Sequence, residues 1–148
     1  MPYKNILAAI ICVSVAQVLA CEETSRQSIL EKQAHWQSQD LERYSYLMQR
    51  QCFCSPEYTQ EMRVTVKNNQ VIEVVYSDSG ESVNDKVFNQ QLTISQWYKL
   101  ALKSISNENG KTKVVFSEYE SYPSRIYIDQ HIMRADDEYT VIIKNLIR

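Results

Sequence analysis

Hydrophobic and polar positions follow two different periods along this chain, and together they predict a mixed helix and strand fold. In residues 62–67 (MRVTVK) apolar and polar side chains alternate one by one, which indicates a strand with one buried face. Over residues 94–105 the apolar side chains recur at helical spacing instead. Thr93 and Gln96 resemble a capping box at the start of that helix. The pattern therefore predicts an α+β domain.

The predicted elements occur in the order αβββαβββ. They are a helix over 29–39, strands over 44–53, 62–67 and 71–76, a helix that starts at 93 and stops at 110, and strands over 112–119, 125–130 and 138–146. Asn68 and Asn69 separate two of the strands, and asparagine tolerates the positive φ of a tight hairpin. Short connections favour antiparallel neighbours, so we expect a meander sheet with both helices packed on one face. Trp36 and Trp97 are the expected contacts between helices and sheet, within a single domain over 29–148.

The N-terminal segment has the pattern of an export signal. Its apolar run, residues 6–15, is about half of the roughly 20 residues that a membrane-spanning helix needs. This length suits the core of a signal peptide. Residues 18–21 (VLAC) then resemble the lipobox at which bacterial lipoproteins are cleaved. We predict a signal peptide over 1–20, a lipid anchor on Cys21 and a polar tether over 21–28.

Two other interpretations of this segment remain open. Val18 and Ala20 also suit an ordinary signal peptidase, which would leave a soluble periplasmic or secreted protein. An uncleaved anchor would need a longer apolar run. We favour lipidation because cysteine is rare and Cys21 directly follows Ala20. Glu22 comes next, whereas an Asp there would resemble the inner-membrane retention signal of bacterial lipoproteins, so this resemblance implies the outer membrane, facing the periplasm.

Composition restricts the partners and the chemistry. Cleavage after residue 20 leaves 128 residues, enough for one domain, with 15 basic and 18 acidic side chains. The basic residues are scattered singly, which argues against a nucleic-acid surface. Gly80 and Gly110 are the only glycines, so a glycine-rich phosphate loop is excluded. We expect no cofactor, no metal and no catalytic set of residues.

Cys52 and Cys54 are the sharpest candidates for chemistry. With Cys21 acylated and Cys12 removed in the signal, they form the remaining pair. A regular strand would place their Cα atoms about 6.6–6.8 Å apart, beyond the 5.5–6 Å or so that a disulfide prefers. A bend before Pro56 would close the gap. We favour a compact local disulfide in an oxidising compartment.

A redox-responsive thiol pair is the alternative. Arg50 lies on the same face of the predicted strand and would lower the pKa of a neighbouring thiol. Metal binding is disfavoured, because two thiols need further ligands and His35 and His131 are far away in sequence.

The order of these features resembles the domain-of-unknown-function family 6174. The residues that carry the resemblance are Trp36, Tyr44-x-Tyr46, Arg50-x-Cys52-x-Cys54, Val64-x-Val66, Thr93, Tyr122-Pro123-x-x-Ile126-x-x-Asp129 and Asp137-Glu138-Tyr139. Ser121 stands where the family usually has glycine. The resemblance implies an extracytoplasmic α+β domain of small secreted or lipoprotein-type proteins. It implies no established catalytic activity, so no catalytic residue is carried over.

Three tyrosines add a candidate recognition patch. Tyr119, Tyr122 and Tyr127 cluster in sequence, and tyrosine suits interfaces, although such residues also pack the edge of a core. We therefore predict a lipoprotein of the cell envelope whose non-enzymatic domain binds a protein or another envelope component. The alternative is a thiol redox or redox-sensing protein that acts through Cys52 and Cys54.

Overall fold

A computed structural model describes residues 25–148 of the protein. The predicted signal peptide, Cys21 and the start of the predicted tether lie outside these residues. The helices are α1 (Arg26–Ser38), α2 (Pro56–Thr59), α3 (Asp85–Phe88) and α4 (Ile94–Ser104), and the strands are β1 (Arg43–Cys52), β2 (Met62–Lys67), β3 (Gln70–Tyr76), β4 (Lys111–Phe116), β5 (Pro123–Asp129) and β6 (Tyr139–Ile147). No helix in the described part of the chain is both long and apolar enough to cross a membrane.

The strands form one antiparallel sheet in the order β3-β2-β1-β6-β5-β4. Two three-stranded meanders are thus joined through β1 and β6, the first and last strands of the chain. The predicted single-domain α+β fold is confirmed. The hairpin between β2 and β3 turns through Asn68 and Asn69, which have φ values of 49° and 57°. These values lie in the left-handed region that asparagine tolerates, as the sequence predicts.

Helices α1 and α4 cover one face of the sheet, and the hydrophobic core lies between these helices and the sheet. On β1 the side chains of Tyr44, Tyr46 and Met48 point into this core and are buried. Trp97 of α4 is fully buried, and Trp36 of α1 packs edge-on against Tyr44 with their ring centroids 5.2 Å apart. The two tryptophans therefore make the helix-to-sheet contacts that the sequence predicts.

Buried hydroxyl groups fix the start of α4 over β1. The Tyr46 hydroxyl donates to the carbonyl of Leu92 and accepts from Trp97 Nε1 at 3.3 Å. The backbone amide of Ile94 donates to the Tyr44 hydroxyl at 3.1 Å. Burial raises the pKa of Tyr44 to about 12 and raises that of Tyr46 as well. Both phenols therefore stay neutral and act as hydrogen-bonding groups inside the core.

Helix α1 begins three residues before the sequence pattern suggests. Its N-cap is Ser25, whose hydroxyl oxygen accepts from the backbone amide of Ser28 at 3.1 Å. A serine in this position satisfies an amide that has no partner within the helix. Residues 26–28, predicted as tether, therefore belong to the helix.

The two ends of the sheet carry different loops. We call the end where β1 finishes and β6 starts the entry end, and the opposite end the hairpin end. Arg26, in the first turn of α1, donates from Nη1 to Ser106 Oγ at 2.9 Å, just beyond the last turn of α4. Gln39, beyond the last turn of α1, donates from Nε2 to the carbonyl of Glu120 at 3.3 Å, in the loop between β4 and β5. The described chain therefore starts at the entry end.

Candidate functional site

The cysteine pair forms a disulfide at the entry end. Cys52 is the last residue of β1 and pairs with Tyr139, the first residue of β6. The chain bends after Cys52, and the Cα atoms of Cys52 and Cys54 are 5.4 Å apart. This separation is shorter than a regular strand allows and matches what a disulfide prefers. Phe53, between the two cysteines, is 88% exposed, so the bridge holds an outward-pointing aromatic side chain.

Arg50 lies on the core-facing side of β1, two residues before the bridge. Its guanidinium carbon is 5.4 Å from the centroid of the Tyr139 ring, and its Nη1 donates to Gln90 Oε1 at 3.1 Å. Its Nε is buried and has no hydrogen-bond partner within residues 25–148. Burial lowers the pKa of Arg50, but a guanidinium keeps its charge throughout the physiological range. A fixed positive charge therefore lies on the same strand face as Cys52.

The three tyrosines of the predicted patch lie in different environments. Tyr119, in the loop between β4 and β5 at the hairpin end, is 89% exposed. Tyr122 is buried against the core. Tyr127 lies on β5, opposite Lys113 of β4, and is half-buried. Only Tyr119 is available as an exposed aromatic side chain of the kind that the patch requires.

Histidines and carboxylates do not converge on a metal site in residues 25–148. No group of three or more His, Cys, Asp or Glu side chains in this part of the chain is arranged to hold a metal ion. His35 Nδ1 lies 3.2 Å from Ser121 Oγ near the hairpin end. The His131 backbone amide donates to Asp129 Oδ1 at 3.1 Å at the entry end. The two histidines are thus at opposite ends of the sheet.

The face of the sheet turned away from the helices carries a concentration of positive charge. We call it the open face. Its exposed basic side chains are Arg43, Arg63, Lys67, Lys111, Lys113, Arg125 and Lys144. The strand positions of the same face contribute two acidic side chains, Glu73 and Asp129. Because the whole chain has a net charge of −2, this face has the opposite sign to the protein as a whole.

Most of these cations have no carboxylate partner in the described part of the chain. Lys144 Nζ lies 2.6 Å from Glu61 Oε2 and is the one basic residue of the open face in an ion pair within residues 25–148. The charge of the other six is thus not neutralised by a direct contact. They are spread over the four strands β1, β2, β4 and β5 of the sheet, in which neighbouring strands are about 4.8 Å apart, and form a broad cationic surface.

A depression of about 310 Å³ lies within this face, near the start of β1. Arg43 and Arg63 line it, together with the hydroxyl-bearing side chains of Ser45 and Thr65, which face each other across the β1–β2 pair. Thr65 Oγ1 donates to Glu73 Oε2 at 3.2 Å. Guanidinium groups that line a solvent-accessible depression can bind a carboxylate or phosphate group through paired hydrogen bonds.

Sequence reasoning missed the open face. In the sequence, Arg43 and Arg63 are twenty positions apart, and Arg125 and Lys144 follow much later. Each occupies a solvent-facing position of its own strand, which the alternation of polar and apolar residues does reveal. These residues share one surface only because of the order of the strands in the sheet. The pairing of β1 with β6, which sets this order, cannot be predicted from the local sequence pattern.

Comparison with known families agrees with the resemblance seen in the sequence. The family model of DUF6174, described as a family of unknown function, matches residues 28–148. The chain belongs to this family. No curated protein and no solved structure matches it.

Ser121, where the sequence resemblance implies glycine, has the backbone conformation that glycine favours. Its φ is 55°, in the left-handed region, and the residue is buried. Its carbonyl accepts a hydrogen bond from the Tyr98 hydroxyl. The contact of its own hydroxyl with His35 is available to serine and not to glycine. The turn before β5 therefore has a serine in a backbone conformation that glycine adopts more readily.

Proposed function

We propose that this protein is an envelope lipoprotein, anchored through Cys21, whose domain binds an anionic partner on its open face. The partner is a protein or another envelope component that carries carboxylate or phosphate groups. The lipobox-like residues 18–21 support the anchor. The disulfide between Cys52 and Cys54 is consistent with an oxidising compartment outside the cytoplasm.

The charge of the open face carries the binding proposal. This face has seven exposed basic side chains and two acidic ones, so its net charge is opposite in sign to that of the chain. Six of the basic side chains have no ion-pair partner in residues 25–148. A surface of one sign steers an oppositely charged partner and fixes its orientation. Lysine and arginine at exposed positions keep their charge at neutral pH, which suits them to binding rather than to proton transfer.

Intact-mass measurement of the mature protein tests the anchor. A mass that corresponds to a chain starting at Cys21 and carrying a diacylglyceryl group is expected. An unmodified N-terminus at Cys21, or cleavage at another position, would contradict it.

Charge neutralisation tests the open face. We expect the triple variant Arg43→Gln, Arg63→Gln, Lys67→Gln to lose partners that are crosslinked to the wild-type protein in intact envelopes. The matched control is Lys32→Gln, Lys99→Gln, Lys103→Gln, which removes the same number of charges from the helices on the other side. Equal crosslinking by both triple variants would rule out the open face as the binding surface.

A thiol redox function is the second candidate, and the position of the bridge favours it. The bridge encloses one exposed residue and lies on the strand that carries Arg50, whose positive charge would stabilise a thiolate at Cys52 after reduction. Thiol labelling of the purified protein across a redox series tests it. Labelling at potentials typical of the periplasm supports the redox role, whereas a bridge that stays intact below about −300 mV excludes it.

A further inference from the structure

The anchor proposed above has a strict geometric consequence. Four peptide units join Cys21 to Ser25, and an extended chain of four residues spans at most about 14 Å. Ser25 caps helix α1 and is therefore fixed to the folded domain. A lipid on Cys21 would thus hold Ser25, and the part of the domain around it, close to the bilayer surface.

Ser25 lies at the entry end of the sheet. Arg26 contacts Ser106, and the neighbouring Asn107 donates from Nδ2 to the carbonyl of Gln130 at 2.8 Å. The segment that joins β5 to β6 therefore lies beside the point where the chain enters the domain. The end of β1 is at the same end of the sheet, because Cys52 pairs with Tyr139.

This end carries three large apolar side chains in solvent. Phe53 is 88% exposed, Ile132 is 61% exposed and Met133 is 94% exposed. The disulfide flanks Phe53 on both sides, and the backbone amide of Ile132 donates to the carbonyl of Asn109 at 3.1 Å. These contacts tie both segments to the folded domain.

We propose that the entry end docks on the bilayer surface, with Phe53, Ile132 and Met133 inserted into the interfacial layer. This proposal rests on the lipid anchor of the proposed function. A short tether holds these side chains at the membrane, and transfer from water to the interface removes their apolar surface from solvent. In this orientation the entry end contacts the bilayer, and the open face remains accessible to a partner.

The charge of the segment before β6 favours one kind of lipid surface. The segment before β6 carries Arg134 and the acidic residues Asp136, Asp137 and Glu138. The segment therefore has a net negative charge, which anionic headgroups repel and zwitterionic headgroups do not. We therefore expect docking on phosphatidylcholine vesicles to weaken when phosphatidylglycerol is added at low ionic strength.

Quenching by brominated lipids tests the docking. The mature chain purified from the cell envelope is reconstituted in phosphatidylcholine vesicles with brominated acyl chains, as Phe53→Trp and, for comparison, Tyr119→Trp. Tyr119 is a matched control, because it is 89% exposed and lies at the opposite end of the sheet. Trp36 and Trp97 are buried in the core and supply the same background in both variants. We expect a blue shift and loss of emission for the tryptophan at position 53, and neither change at position 119.

Flotation of the same vesicles separates the two proposals. A protein that fails to float with the vesicles has no anchor, which overturns the proposed function and the docking together. Flotation with unquenched emission at position 53 overturns the docking alone and assigns these side chains to a protein partner. Equal quenching at positions 53 and 119 also overturns it, since the domain would then have no fixed orientation.

Discussion

Removal of the disulfide tests whether Cys52–Cys54 is a local clamp or a bond that the fold requires. The bridge closes a loop of three residues. The loss of chain entropy in the unfolded state for so short a loop corresponds to about 1.6 kcal/mol at 25 °C, against about 3 kcal/mol for a 15-residue loop. We therefore expect Cys52→Ser, Cys54→Ser to lower the free energy of unfolding by about 1.6 kcal/mol. For a domain of this size the Tm falls by about 6 °C.

Chemical denaturation followed by tryptophan fluorescence measures this difference, because Trp36 and Trp97 report on the core. Reduction of the wild-type protein should give the same loss as the double substitution. Phe53→Ser, which keeps the bridge, should change stability by less than about 0.5 kcal/mol, since Phe53 is exposed. A loss of about 4 kcal/mol or more, or a loss of cooperative unfolding, would refute the reasoning and mean that the bridge organises the pairing of β1 with β6.

Three further predictions concern the contacts between β1 and α4. Tyr46→Phe removes the hydroxyl that pairs with Leu92 and Trp97. It should cost about 1–3 kcal/mol in urea denaturation, because the Trp97 indole N–H stays fully buried and the Leu92 carbonyl half-buried; an unchanged midpoint would contradict this. Thr93→Ala removes the capping box and should lower the free energy of unfolding by about 1 kcal/mol, whereas Thr93→Ser should keep most of that stability. Equal stability of the Ala and Ser variants would exclude the cap as the cause. The free energy of unfolding should fall as pH rises from 10 to 12, because the folded state keeps a proton on Tyr44 (pKa about 12) that the unfolded state releases near pH 10. Tyr44→Phe should make this fall shallower, and an identical slope in both proteins would count against the raised pKa.

The sequence identifies the regular elements because their side-chain periods are local. The strand predicted over 62–67 coincides with β2, and the capping box at Thr93 marks the start of α4. Helices α2 and α3 have four residues each, too few for a period of 3.6 to appear. Strand β4 ends at Phe116, earlier than predicted, because the following residues form the loop that exposes Tyr119.

The candidate surfaces depend on contacts between distant segments, which local pattern does not contain. Pairing of β1 with β6 joins the two meanders and places Arg43 and Arg63 in the same surface as Lys144. The same pairing brings Phe53 to the end of the sheet that also carries Ile132. The sequence does reveal the cysteine pair, because a spacing of two residues limits its geometry directly.

Site-specific photo-crosslinking in intact envelopes tests the central claim most directly. A photo-reactive residue at Leu47 would lie in the middle of the open face, opposite Arg63 and Lys144, and one at Gln37 would lie on the exposed side of α1. We predict a defined adduct from position 47 that is lost at high salt and in the Arg43→Gln, Arg63→Gln, Lys67→Gln variant, and no such adduct from position 37. An adduct of equal yield from both positions, or one from position 47 that is insensitive to salt and to the charge substitutions, would contradict binding of an anionic partner by the open face.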